Sequence, residues 1–299
     1  FMQVLMRQPD EAKWQWQAPK DARFTGKRRA FSNWITDVDN GAGALLARVI
    51  VNRLWQHHFG RGLVATPNDF GVSGERPSHP ELLEWLASDL VQHGWKLKRL
   101  HRLIMTSSVW MQSGDSDEAR AQLDRENTLL WRRSPMRLEA EAIRDSMLSV
   151  SGLLDPQQFG PGTLDQNMRR RSIYFFIKRS QLIPMMMLFD WPEHLVSIGQ
   201  RPVTTIAPQA LMFMNSPQSR QWATAFAARL PATSPADSVQ GAWRIAFGRQ
   251  PAAAEMQAAL MFLKNQENQH SGRPGNPQQQ ALTDLCQTLF SMNEFIYCE

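Results

Sequence analysis

Cysteine and tyrosine are nearly missing from this chain, with two of each in 299 residues. Cys286 and Cys298 make no disulfide framework. On one helix they would stand about 18 Å apart, beyond the reach of a bridge. There is no C-x-x-C-H, so this segment attaches no haem covalently. No run approaches the roughly 20 apolar residues of a membrane helix. The longest apolar clusters, at 185–189 and 207–214, are far shorter. G-x-G-x-x-G, G-x-x-x-x-G-K-[ST] and G-x-S-x-G are absent, which removes the support for dinucleotide, P-loop and hydrolase-elbow readings. H-E-x-x-H is absent too. A start methionine and a signal-peptide pattern are also lacking, so the chain reads as a piece of a longer precursor.

What is there is core material. Hydrophobic residues make up 42% and charged residues 20%, ordinary for a folded protein. Eleven tryptophans favour large buried aromatics whose indole N–H groups need acceptors. The formal net charge is +5. A basic balance admits nucleic acid, an acidic glycan or a membrane surface as partner. It equally serves solubility alone.

Periodicity predicts a mainly α fold: one large helical domain with a minor extended or β element near 171–179. Residues 1–26 read as an extended lead-in. Residues 27–299 read as the helical domain, with 232–299 as a C-terminal helical lobe. Over 44–59 the apolar residues cover nearly the whole helical circumference, which marks a buried helix. Asn52, Arg53 and Gln56 fall within that arc. A buried guanidinium requires a partner, and Glu141 is the partner expected for Arg53. Gly60 and Gly62 end the helix. Ser78 and Glu81 stand at capping-box spacing, with Pro80 in the first turn of the next helix. SIYFFIK at 172–178 is the one convincing strand, with Ile173 and Phe175 facing the core.

The candidate chemistry is sparse. His57, His58, Asp69, His79 and Glu81 surround one polar turn and would form an acid–base or metal cluster if they converged. Adjacent histidines point about 100° apart on a helix, so His57 and His58 cannot share a metal without distortion. Both equally suit the C-terminus of a buried helix. Glu141 and Asp145 share a helical face, as an acid–base pair or as partners for arginines. Arg169, Arg170, Arg171, Lys178 and Arg179 bracket the expected strand, as an anion site or as charged guards of a strand edge. The methionines at 185–187 read as core filling rather than thioether ligands.

The blocks ARVIVNRLWQHHFGRGLVATPNDFGVSGERPSHPELLEWLASDLVQHGWKLKRLHRLIMTSSVW, LLWRRSPMRLEAEAIRDSMLSVSGLLD, RRSIYFFIKRS, TTIAPQALMFMN and LFSMNEFIY lie in order within 28–297. In them the chain resembles the C-terminal conserved domain of large planctomycete and verrucomicrobial envelope proteins, a family of unknown function. DVDNGAGALLARV departs from the family pattern, with Gly-Ala-Gly where an Asn-to-Pro entry is usual. The resemblance implies an exported setting, periplasmic or cell-envelope. It implies haem only on a separate upstream cytochrome-c-like domain, with no cofactor in this segment. It carries over no catalytic residues. The expected function is an accessory module that binds other domains of its precursor, an envelope protein or an anionic polysaccharide. The alternative is an enzyme on polysaccharides or their esters, sited between His57 and Glu81. Nucleic acid rests on net charge alone and conflicts with export.

Overall fold

The computed structural model describes residues 1–8, 10–192 and 195–298. The fold is mainly α, with thirteen helices and one two-stranded sheet among the described residues. Its contacts divide into two compact units, Phe1–Ser134 and Pro135–Glu299. The lead-in therefore belongs to the first unit. Residues 232–299 share the core of the second.

The first unit holds α1 (Lys27–Thr36), α2 (Gly43–Phe59), α3 (Pro80–Gln92), α4 (Leu97–Met105) and α5 (Glu118–Leu123). Its core joins Ala47, Val51 and Trp55 of α2 to Leu83, Leu86 and Leu90 of α3 and to Leu100 and Ile104 of α4. Buried Gly43, Ala47, Val51 and Trp55 recur every fourth residue as one stripe, and buried Asn52 lies beside it. Helix α2 is thus central but not enclosed, since its remaining apolar residues are only half-buried. Gly60 ends it in the left-handed region, φ 81°, and donates its N–H to the Gln56 carbonyl at 2.7 Å. A separate small cluster pins the lead-in: Trp14 packs with Trp34 and Ala42. The Trp14 indole donates to Asp37 Oδ2 at 2.9 Å. Burial opposes ionisation of Asp37, but the Asn40 amide, the Trp14 indole and Lys13 outweigh it and bring its pKa to about 2.

The second unit opens with β1 (Met136–Arg137) and α6 (Ala140–Ser151). It continues through α7 (Pro184–Leu188), α8 (Ala207–Asn215), α9 (Pro217–Ala227) and α10 (Pro235–Phe247). It ends with α11 (Ala253–His270), α12 (Pro277–Phe290), α13 (Asn293–Ile296) and β2 (Tyr297–Cys298). Strand β1 pairs antiparallel with β2, Met136 opposite Cys298 and Arg137 opposite Tyr297. The two ends of the unit are tied to each other in this way. The core is built from Ile143, Met147 and Leu148 of α6, Trp222, Ala223 and Phe226 of α9, and Leu285, Cys286, Leu289 and Phe290 of α12. Burial drives the Cys286 thiol far above its ordinary pKa. Helices α9, α10 and α12 start alike. A Ser or Asn side chain (Ser216, Ser234 or Asn276) accepts a first-turn amide, and proline follows at the first helical position. Met186 is fully buried, as core filling requires.

Two local expectations fail. The 172–178 segment is not a regular strand. Ser172–Tyr174 forms a 3-10 turn, and the extended element reduces to an isolated parallel bridge from Phe175 to Thr163. Phe175 is buried as expected, but Ile173 is exposed. Ser78 does not cap α3: the cap position is His79, with no side-chain bond. The Ser78 amide and hydroxyl instead donate to the Leu63 carbonyl.

Candidate functional site

The polar residues of the first unit divide into framework and rim. Asn52, fully buried, accepts the Val64 amide at 2.7 Å and donates to the Val64 carbonyl at 2.9 Å. Two hydrogen bonds to one residue fix where the 60–78 segment leaves α2. Gly62 is glycine because a Cβ there would lie 2.6 Å from both Asn52 Nδ2 and the Val64 carbonyl oxygen. Further along, the Thr66 hydroxyl donates to the Asp69 carbonyl and accepts the Glu75 amide. Asp69 Oδ1 accepts the Gly71 amide, so its carboxylate builds the turn.

Among the described residues, no hydrogen bond or ion pair joins any two of the five expected catalytic side chains. His57 and Glu81 are exposed on α2 and α3. His79 Nδ1 lies 3.0 Å from the Ser78 hydroxyl. His58 meets a residue that the spacing did not indicate: its Nε2 lies 2.8 Å from Nδ1 of His101 on α4. Trp110 stands edge-on to His58, and Arg133 lies over the Trp110 ring at 4.2 Å. Burial, then His101, His57 and Arg133, push the His58 imidazole below its ordinary pKa. No group of three or more His, Cys, Asp or Glu is placed to hold a metal ion among the described residues.

The same turn does form one wall of a cleft of about 230 Å³. Its floor includes Trp55 and Phe59, stacked with ring centroids 4.3 Å apart. Its rim carries Arg61, Glu75, Arg76 and Glu126. Asn127, in the left-handed region at φ 52°, fixes the opposite wall by donating to the Arg132 carbonyl and the Ser134 hydroxyl.

The burial from which a partner for Arg53 was expected does not hold: Arg53 lies on the exposed side of α2. An exposed guanidinium requires no buried partner. In the second unit Glu141 accepts the Trp191 indole at 2.8 Å and the Arg201 guanidinium at 2.7 Å. The arginine that burial isolates is Arg144, 1% exposed. It donates to the carbonyls of Met168 and Arg170 and to the Ser172 hydroxyl, and it lies over the Phe175 ring. Burial lowers its pKa to about 10, against the opposing pull of Asp145 and Asp165. Asp145 accepts the Ser172 amide and hydroxyl, both at 2.7 Å. Glu141 and Asp145 thus have separate structural partners and form no acid–base pair. A second buried cation, Arg137, bonds Asp190 at 2.6 Å. Asp190 sits at φ 62° and also takes the Thr204 amide and hydroxyl.

The basic cluster divides. Arg170 is half-buried and engaged locally: it donates to the carbonyls of Gln157, Phe159 and Pro161 and lies 3.6 Å from the Tyr174 ring centroid. Arg171 touches Asp145 at 3.4 Å, yet its side chain is 65% exposed. Arg169, Lys178 and Arg179 are exposed. Phe159, Ile173, Phe176 and Ile177, on the same stretch of chain, are also exposed.

Residues 27–263 match the model of the family described as PSD1: Protein of unknown function (DUF1553), and the chain belongs to that family. No curated protein and no solved structure matches it. No helix is long and apolar enough to cross a membrane among the described residues.

Proposed function

We propose that this member of the DUF1553 family is a binding module of an exported, multidomain envelope protein, and that its 159–179 segment holds an anionic polysaccharide. The setting, beside a separate haem-bearing domain in proteins of the planctomycete type, draws its support from the sequence blocks quoted above. One observation carries the ligand. Arg169, Arg171, Lys178 and Arg179 are exposed alongside exposed Phe159, Phe176 and Ile177. Cations supply the attraction to uronate or sulfate groups. Exposed apolar side chains supply contact area for the less polar faces of sugar rings. The segment is held in shape from beneath by Arg144 and Asp145, which limits the ordering cost of binding.

The test is affinity electrophoresis of the full chain through gels containing polygalacturonate or neutral dextran. Retardation by polygalacturonate alone is expected, and it falls as salt rises because the contacts are exposed. The triple variant R169E/K178E/R179E should lose it. Equal retardation of the two proteins by polygalacturonate, each measured against its own mobility in a ligand-free gel, or equal retardation of the parent in dextran, would overturn the reading. An enzymatic alternative centred on His57, His58, Asp69, His79 and Glu81 has less support, since no hydrogen bond joins any two of these groups among the described residues.

A further inference from the structure

We infer that the cleft of the first unit is a binding site for a single uncharged pyranose ring. Three observations carry it. The first is size. At about 230 Å³ the cleft falls below the roughly 300–1,000 Å³ of drug-sized sites. That volume accommodates one ring.

The second is the distribution of chemistry. An aromatic pair, Trp55 and Phe59, lies in the floor, and polar groups lie at the rim. A pyranose has the matching form, with C–H bonds on its faces and hydroxyls around its edge. The rim offers both hydrogen-bonding senses, with guanidinium donors on Arg61 and Arg76 and carboxylate acceptors on Glu75 and Glu126. A hydroxyl both donates and accepts, so neighbouring hydroxyls use the two kinds of group together. A ligand charged in one sign would meet like charge at this rim. Arg61 and Glu75, 3.6 Å apart, already balance each other.

The third is preorganisation. One wall is fixed by the Asn52–Val64 pair, the Thr66 hydroxyl and the Ser78–Leu63 bonds. The other is fixed by Asn127. Such a site binds with little ordering cost.

This site is independent of the anionic-polysaccharide reading, since it lies in the other unit and takes an uncharged ligand. The full chain is titrated with the methyl glycosides of glucose, galactose and mannose, followed by saturation-transfer NMR and tryptophan fluorescence. At least one should bind saturably with a dissociation constant on the order of 1–10 mM, ordinary for so small a ligand. E126Q and R76Q should each weaken it about tenfold with the melting temperature unchanged, because both side chains are exposed. The R169E/K178E/R179E variant should bind the glycoside as the parent does. No saturation by any glycoside at roughly ten times those concentrations, or saturation that E126Q and R76Q leave untouched, would overturn the proposal.

Discussion

Asn52 and Arg53 are neighbours on α2 with opposite fates, and the contrast is measurable. Asn52 is fully buried and satisfies both backbone groups of Val64. Replacing it with Ala strands a buried N–H and a buried C=O, at about 2–4 kcal/mol. Arg53 faces water, so Arg53→Ala should change stability by about 0.5 kcal/mol or less. Urea denaturation of the two variants separates the roles. Comparable losses from both would show that the helix is buried on all sides. His58 sets a pH dependence of defined sign. Its folded-state pKa lies below its unfolded value, which is about 6.5. Above that pH the imidazole is neutral in both states. As the pH falls below it, the unfolded chain binds the proton first, so stability declines. The decline levels off once the folded imidazole is protonated as well. Urea midpoints measured across this range should show the decline, and His58→Gln should reduce it.

Among the elements, α2 and the 159–179 segment show what was legible and what was not. The 44–59 periodicity located a central helix, and Gly60 marked its end, because both signals are local. A wheel count, however, sorts residues by type and cannot weigh how much neighbouring surface exists to cover them. It therefore placed Arg53 in one arc with Asn52 and Gln56, whereas Asn52 is buried, Gln56 half-buried and Arg53 exposed. The SIYFFIK segment has the composition of a strand, yet its first residues form a 3-10 turn. The cause lies at a distance: Asp145 holds the Ser172 amide, and Arg144 collects the carbonyls of Met168 and Arg170. Neither partner leaves a local trace. The His58–His101 contact is equally non-local, bridging two helices. Arg144→Met tests the account of the turn. It would leave carbonyls of a buried site unpaired, costing about 2–4 kcal/mol. Limited proteolysis should then cut within 155–179 sooner than in the parent, and polygalacturonate retention should weaken without loss of any surface charge.

For the whole chain, the distribution of core residues sets the level at which it folds. Every residue of the large second cluster lies at or beyond Leu138, and every residue of the first unit's clusters lies at or before Leu130. The second unit also joins its own ends. Strand β1 pairs with β2, and the Leu138 amide donates to the Ile296 carbonyl at 2.7 Å. A segment of this size with its own core and adjoining termini has what independent folding requires. Expressed alone, residues 135–299 should be helical by far-UV circular dichroism and unfold in one cooperative transition. Deleting Tyr297 and Cys298 from that fragment removes the closing strand and should lower its midpoint. Because the basic segment lies within this unit, the fragment should also retain the affinity of the full chain for polygalacturonate. A fragment that unfolds without cooperativity would place part of its stability in residues 1–134. A cooperative fragment that fails to bind would instead separate the fold from the proposed ligand, leaving the first account standing and removing the second.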